Sequence, residues 1–299
     1  MNSQNHAPTG SASPWEHVPS EFRPDLLSIV ADTEDDLGLQ HVFHSTIGNS
    51  VVEEQEDQDS HFIETIQLGP FCYKLQLPPD IGALFAHRVW SGSKLLAQYL
   101  LENPWLVKEK RTLELGSGTA LPSLVSLSIG SQISILTDYP DPLVLQSLRH
   151  TVGYNWDSCQ ASISRVAVLG HEWGSDVSPI FHKVTDMIHS SSFTCTNHQA
   201  DTVSSSNPFH VILLSECIWN HSCHEKLASS IHSLLHPTMG TVIVTYAHHI
   251  PGKELEDDAF FQLCHDRYQF ITQHISTQRG QYMWDTSKSI DIYLKIMKR

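Results

Sequence analysis

Apolar positions along the chain beat in two rhythms from Gly82 onward. Phe85, Val89, Leu95, Leu96, Tyr99, Leu100 and Leu101 recur at helical spacing until Asn103-Pro104, which predicts a helix ending there. RTLEL (111–115) predicts a short strand, LPSLVSLSI (121–129) a helix closed by Gly130, and ISILTD (133–138) a second strand. Residues 140–155 predict a helix with Leu143, Leu148 and Val152 on one face. ISRVAVL (163–169), FHVILLS (209–215) and GTVIVTYA (240–247) predict strands, the middle one apolar enough to be buried on both faces. Helices follow at about 221–235 and 256–268, and the last strands are FITQHI (270–275) and SIDIYLKIM (289–297). Strands alternating with helices predict an α/β fold with a mostly parallel, doubly wound sheet.

Upstream the pattern is thinner. Residues 1–36 are rich in Ser, Pro, Asn and acidic residues and read as a mobile tail. HVFHSTI (41–47), FIETIQL (62–68) and FCYKLQL (71–77) read as strands around a solvated acidic run, EEQEDQDS, at 53–60. The expected organisation is therefore a tail at 1–36, a small β appendage at 37–80 and a main domain at 81–299. That domain carries a Ser/Thr-rich surface insertion at 185–207.

Charge narrows the partners. The 299 residues hold 18 Lys+Arg against 33 Asp+Glu, a net charge of −15 with histidine neutral. Such a surface is unsuited to sequence-independent binding of nucleic acid or of an anionic membrane, and it suits a basic protein partner. The six cysteines make no CxxC pair, no signal-peptide pattern opens the chain, and no apolar run reaches the ~18 residues of a membrane span. The expectation is a soluble intracellular protein, cytoplasmic or nuclear.

The chemistry concentrates in LELGSGTALPSL (113–124), which reads as strand, Gly-x-Gly and helix. Gly116 and Gly118 let backbone approach a ligand, and the helix start behind them offers free N–H groups. The third glycine of a dinucleotide fingerprint is absent, with Leu121 in its place, and Glu114 precedes the glycines inside the strand. Asp138 ends the next strand about 20 residues on, where a carboxylate accepts the hydroxyls of a ribose. Its alternative role is to cap the helix that begins near Pro140. Together these features point to a nucleoside cofactor.

This E-x-G-x-G with a downstream acid resembles the seven-strand, Rossmann-like class I methyltransferases that use S-adenosyl-L-methionine. FAHRVWSGSKLLAQYLLENP (85–104), LTDYPDP (136–142), GHEWG (170–174) and LLSECIWNHSCHEKL (213–227) fall in the order of one group. That group holds protein-lysine methyltransferases, among them elongation factor 1-alpha N-terminal and lysine methyltransferases, and fungal nicotinamide N-methyltransferase-like proteins. The resemblance covers about residues 80–275 and implies a cofactor pocket. In it Trp90 packs on the cofactor, Gly116, Ser117 and Gly118 lie under its methionine portion beside Glu114, Asp138 takes the ribose, Trp173 flanks the adenine and Ser215 meets the cofactor by its backbone. Where the group shows Asp-x-x-Tyr or Asp-x-x-Phe, this chain has Glu216-Cys217-Ile218-Trp219. Glu216 and Trp219 are the candidate catalytic pair, one to orient an amine and one to wall it off.

The resemblance implies N-methylation of a protein lysine or N-terminal amine on a basic, translation-factor type substrate. Two other readings stay open: N-methylation of a small amine or heteroaromatic such as nicotinamide, and a catalytically silent cofactor-binding protein. CIWNHSCH (217–224) gathers two Cys and two His but lacks a second, distant ligand pair, so no metal site is expected. His248-His249 follow a strand at the edge where open α/β sheets bind ligands. They read as lining the acceptor entrance, or as one surface and one packed residue.

Overall fold

The computed structural model describes residues 63–78, 86–155, 165–190, 208–282 and 287–299. The expected tail, the strand expected at 41–47, the acidic run at 53–60 and residues 191–207 of the expected insertion lie outside the described residues.

An antiparallel hairpin of β1 (Ile63–Leu68) and β2 (Phe71–Gln76) comes first. Then follow α1 (Ser91–Glu102), β3 (Arg111–Leu115), α2 (Leu121–Ser128), β4 (Ile133–Asp138), α3 (Pro142–Tyr154) and β5 (Val166–Gly170). The chain continues with α4 (Ser178–Ser190), β6 (Val211–Ser215), α5 (His224–Leu234), β7 (Thr241–Ala247), α6 (Glu254–Tyr268), β8 (Ile271–Gln281) and β9 (Ser289–Lys298). The main sheet has seven strands in the order β5-β4-β3-β6-β7-β9-β8. Its first five are parallel; β9 runs antiparallel to both neighbours.

Strand alternation assigns the two faces. Leu113 and Leu115 of β3, Ile212 and Leu214 of β6, and Val242 and Val244 of β7 pack with Ile180 and Val184 of α4, Leu227 and Ile231 of α5, and Phe260 of α6. The intervening Val211, Leu213 and Ile243 face α1 and α2 through Leu96, Leu100, Leu121 and Leu124. Leu136 of β4 meets Val144 and Leu148 of α3. The sheet is covered on both sides, as a parallel sheet requires. The hairpin is part of this packing: Tyr73 and Leu75 are fully buried against α1 and α2. Gln76 N–H donates to Thr151 Oγ1 of α3 (2.8 Å), and Lys74 N–H to Oδ1 of Asn155, which caps the end of that helix (2.9 Å).

Two boundaries differ most from the sequence expectation. Residues 185–190, placed in the insertion, belong to α4. Ile180, Val184 and Met187 form its buried stripe, spaced four and three apart, but polar Ser, His and Thr around them hide the period. The strand expected at 270–275 continues to Gln281. It is an edge strand exposed along most of its length, so no apolar alternation marks its second half.

Candidate functional site

Winding reverses between β3 and β6, from β3–β4–β5 on one side to β6–β7 on the other. In such sheets the crevice beyond the carboxyl ends at that switch point binds the ligand. Gly116 (φ +70°) and Gly118 (φ +50°) lie just past β3 in the left-handed region that favours glycine. A Cβ on Gly116 would stand 2.9 Å from Cys217 Sγ and 3.2 Å from the Trp173 indole, whereas one on Gly118 would meet nothing within 4 Å. One glycine is thus demanded by packing under the turn, and the other opens a cradle. Ser117 fastens the turn to β4: its N–H donates to Thr137 O (2.9 Å) and its Oγ accepts from Thr137 N–H (3.1 Å). Cys217 Sγ donates to Leu115 O across the switch point (3.2 Å).

Asp138 reaches into the same turn. Its Oδ2 accepts from Gly118 N–H (2.7 Å) and its Oδ1 from Tyr139 N–H (2.8 Å). The cap of α3 is instead Asp141, whose Oδ1 accepts from Leu143 N–H and Val144 N–H. Asp138 therefore keeps one further lone pair on each oxygen. Desolvation lifts its pKa to about 6 against the pull of its two backbone hydrogen bonds. Glu114 is fully buried, and its Oε2 accepts from Ser123 N–H (3.2 Å) in the first turn of α2. Its Oε1 has no hydrogen-bond partner among the described residues. Burial raises its pKa to about 8.

A carboxyl group whose folded pKa lies above its unfolded value contributes stability that is complete below the unfolded pKa and is lost as pH rises through the folded one. For Glu114 that window runs from about 4.5 to about 8. The ligand-free protein should therefore melt roughly 10 °C lower at pH 8 than at pH 5 by this group alone. Glu114→Gln should flatten the dependence. Calorimetric melts of both proteins across that range provide the check, and parallel curves would remove Glu114 as the cause.

Beyond β6, Glu216 takes a left-handed conformation (φ +55°) that a non-glycine residue adopts at a cost. Its side chain is 3% exposed, and both carboxylate oxygens are hydrogen-bonded. Oε1 accepts from Gly92 N–H in the first turn of α1 (3.0 Å). Oε2 accepts from Ala247 N–H at the end of β7 (3.0 Å) and bonds His249 Nε2 (2.9 Å). A Cβ on Gly92 would fall 2.5 Å from Oε1, so only glycine lets α1 close on this carboxylate. Thr245 Oγ1 donates to Gly92 O (2.9 Å), a second stitch at the same place.

The remaining candidates surround these. Trp90 precedes α1 and is half-buried, its ring edge-on to His249 with centroids 5.1 Å apart. Trp173 is half-buried against the Gly116 turn. Ser215 ends β6, and its carbonyl accepts from Cys217 Sγ (3.3 Å). Trp219 is half-buried in the turn that follows β6. The Cys and His of 217–224 are engaged separately: His224 Nε2 bonds Ile218 O, and His221 Nε2 bonds Asp257 Oδ1 (2.7 Å). His248 is half-buried and His249 is buried. His248 Nδ1 bonds Asp257 Oδ2 (2.8 Å), and His249 is clamped on Glu216. The sequence reading missed the Gly92–Glu216–His249 junction, since three residues far apart in the chain meet only once α1 docks on β6 and β7.

The lysine methyltransferase family profile matches residues 73–196. The protein N-terminal and lysine N-methyltransferase efm7 of Schizosaccharomyces pombe is 31% identical over 196 residues, covering 65% of this chain and 68% of that one. The chain belongs to this methyltransferase family. EFM7 of Candida albicans is 30% identical over 204 residues, covering 68% of this chain and 72% of that one. Against EFM7 of Cryptococcus neoformans, also 30% identical, the match spans 58% of the relative's length. Among solved structures, SMU.776, described as a methyltransferase and complexed with SAH, superposes with a TM-score of 0.51 at 12% identity. That match covers 83% of this chain and 58% of that one, and it speaks for the fold.

The protein is an S-adenosylmethionine-dependent methyltransferase, and the turn fits that cofactor. Gly118 leaves space where a side chain would sit, Asp138 offers free lone pairs beside it, and Glu114 holds a buried oxygen without a hydrogen-bond partner among the described residues. No described helix is long and apolar enough to cross a membrane.

Proposed function

We propose that this enzyme methylates protein amines, a lysine side chain or an N-terminal α-amine, on a basic substrate of the translation-factor type in the cytoplasm. The observation that carries this reading is the likeness to relatives named as protein N-terminal and lysine N-methyltransferases over two thirds of their length. The net charge of −15 supports a basic partner.

Asp138, Glu114 and the Gly116–Gly118 turn are the residues that hold the cofactor, with Trp90, Trp173 and Ser215 beside them. When bound, S-adenosylmethionine supplies an electrophilic methyl whose leaving group is neutral, so the protein's main task is alignment. An amine acceptor adds a second task. Its reference pKa is about 10.4 for lysine, and an ammonium has no lone pair to attack with. Burial of the acceptor end between α1 and the β6 and β7 ends lowers the dielectric and favours the neutral amine.

Incubation with tritiated S-adenosylmethionine and a desalted protein extract should place label on protein. Acid hydrolysis should then return it as methyl-lysine or as an N-methylated terminal residue. Label confined to small molecules added back to the extract would favour the nicotinamide-type reading instead.

A further inference from the structure

His249 is the one imidazole beside the expected acceptor end that is both clamped and half unused. Its side chain is 7% exposed, Nε2 lies 2.9 Å from Glu216 Oε2, and Nδ1 is buried with no partner among the described residues. Folding rarely leaves a buried ring nitrogen bare, because desolvating it without a hydrogen bond costs stability. Glu216 is already committed to the fold: two backbone N–H groups and the imidazole take three of the four acceptor sites of its carboxylate, and Oε1 lies tight against Gly92. We infer that His249, not Glu216, takes the proton from the acceptor ammonium, while Glu216 is the positioning residue that fixes the ring with Nδ1 free.

This rests on the amine-methylation reading above. Oε2 of Glu216 already accepts from Ala247 N–H, and Nε2–H donates to the same oxygen, which selects the tautomer whose Nδ1 carries the lone pair. The ammonium N–H bond breaks, its proton goes to Nδ1, and the freed lone pair on nitrogen forms the new N–C bond. The C–S bonding pair returns to sulfur, leaving a neutral thioether, and His249 releases the proton to solvent. One acceptor proton thus leaves for each methyl added.

The charged groups facing the ring are Glu216 from the segment after β6 and Asp257 from α6; Asp257 is itself shared by His221 and His248. Just before α1 the ring meets the uncharged Trp90, and Tyr282, just past β8, donates to the His249 carbonyl (3.4 Å). Burial alone lowers the imidazole pKa, but the two carboxylates outweigh it and the net shift is upward. That brings the base toward the pH at which such a group works best.

The test is His249→Gln, whose amide can still donate to Glu216, assayed with tritiated S-adenosylmethionine and the protein extract. At pH 7 turnover should fall about 100-fold, in line with loss of a general base. Cofactor affinity by calorimetry should stay within about twofold, because Nδ1 serves the acceptor and not the cofactor. The deficit should shrink about tenfold per pH unit above neutrality as the acceptor deprotonates unaided. Nitrogen NMR of the wild type should show neutral His249 protonated at Nε2. An active wild type with equal turnover and pH profile in the variant would overturn the assignment, as would an Nδ1–H tautomer. A wild type that labels no protein amine would instead overturn the amine reading on which the assignment stands.

Discussion

Asp138→Ala should bind S-adenosylmethionine roughly 30- to 700-fold more weakly than the wild type, a loss of about 2–4 kcal/mol for two charge-assisted hydrogen bonds. The carboxylate stands at the end of β4 with one oxygen on Gly118 N–H and the other on Tyr139 N–H, so its position is fixed before any ligand arrives. Removing it also leaves the Gly118 N–H without its acceptor, which loosens the cradle. The same group sets a pH limit. With a pKa of about 6, Asp138 is ionised at neutral pH and protonated at pH 5. A carboxyl carrying a proton accepts fewer hydrogen bonds. Wild-type affinity should therefore drop as pH falls below 6, and the alanine variant, already weak, should not follow. Calorimetric titrations of both proteins at pH 5, 6 and 7.5 would decide. Unchanged affinity in the variant would take Asp138 out of the ribose role.

The parts of this site that the sequence announces are local ones. A Gly-x-Gly after an apolar strand declares a tight turn because only glycine tolerates both the left-handed backbone and the close approach at Gly116. An acid at the end of the following strand falls within reach of that turn because β3 and β4 are adjacent and parallel, with Leu115 opposite Thr137. The cap of α3 was open on sequence: Asp138 and Asp141 both stand near its start, and geometry assigns the role to Asp141. Helix α4 escaped notice because only three of its described side chains are buried and its second half merges into a polar stretch. The sequence marks Glu216 by its place in a four-residue motif, as the group that orients an acceptor amine. Its carboxylate also accepts from an N–H in the first turn of α1, 124 residues earlier in the chain. No periodicity reports such a partner. The only signal in the sequence was Gly92, a glycine in the first turn of a helix where any side chain would strike the carboxylate.

Glu216 should also be the most damaging single residue to remove for stability. Three elements converge on its carboxylate, and Glu216→Ala would leave Gly92 N–H, Ala247 N–H and the His249 imidazole buried together without an acceptor. Breaking a buried pair of this kind costs about 3–5 kcal/mol, enough to lower the melting temperature by roughly 10 °C in a domain of this size. Glu216→Gln is the sharper probe because it keeps the shape. An amide has one accepting oxygen where the carboxylate has two. If the oxygen faces Ala247 and His249, the NH2 group opposes Gly92 N–H; if it faces Gly92, the NH2 group opposes Ala247 N–H. Either way one donor meets another, and about 2 kcal/mol should be lost. The amide can also accommodate either imidazole tautomer, so the selection imposed by the carboxylate disappears. Glu216→Gln should therefore lower turnover while cofactor affinity stays close to wild type, and the double variant with His249→Gln should lose little more than the single. Thermal melts, calorimetry and turnover on one set of preparations would measure all three quantities. Additive losses in the double variant would show that the two residues act separately.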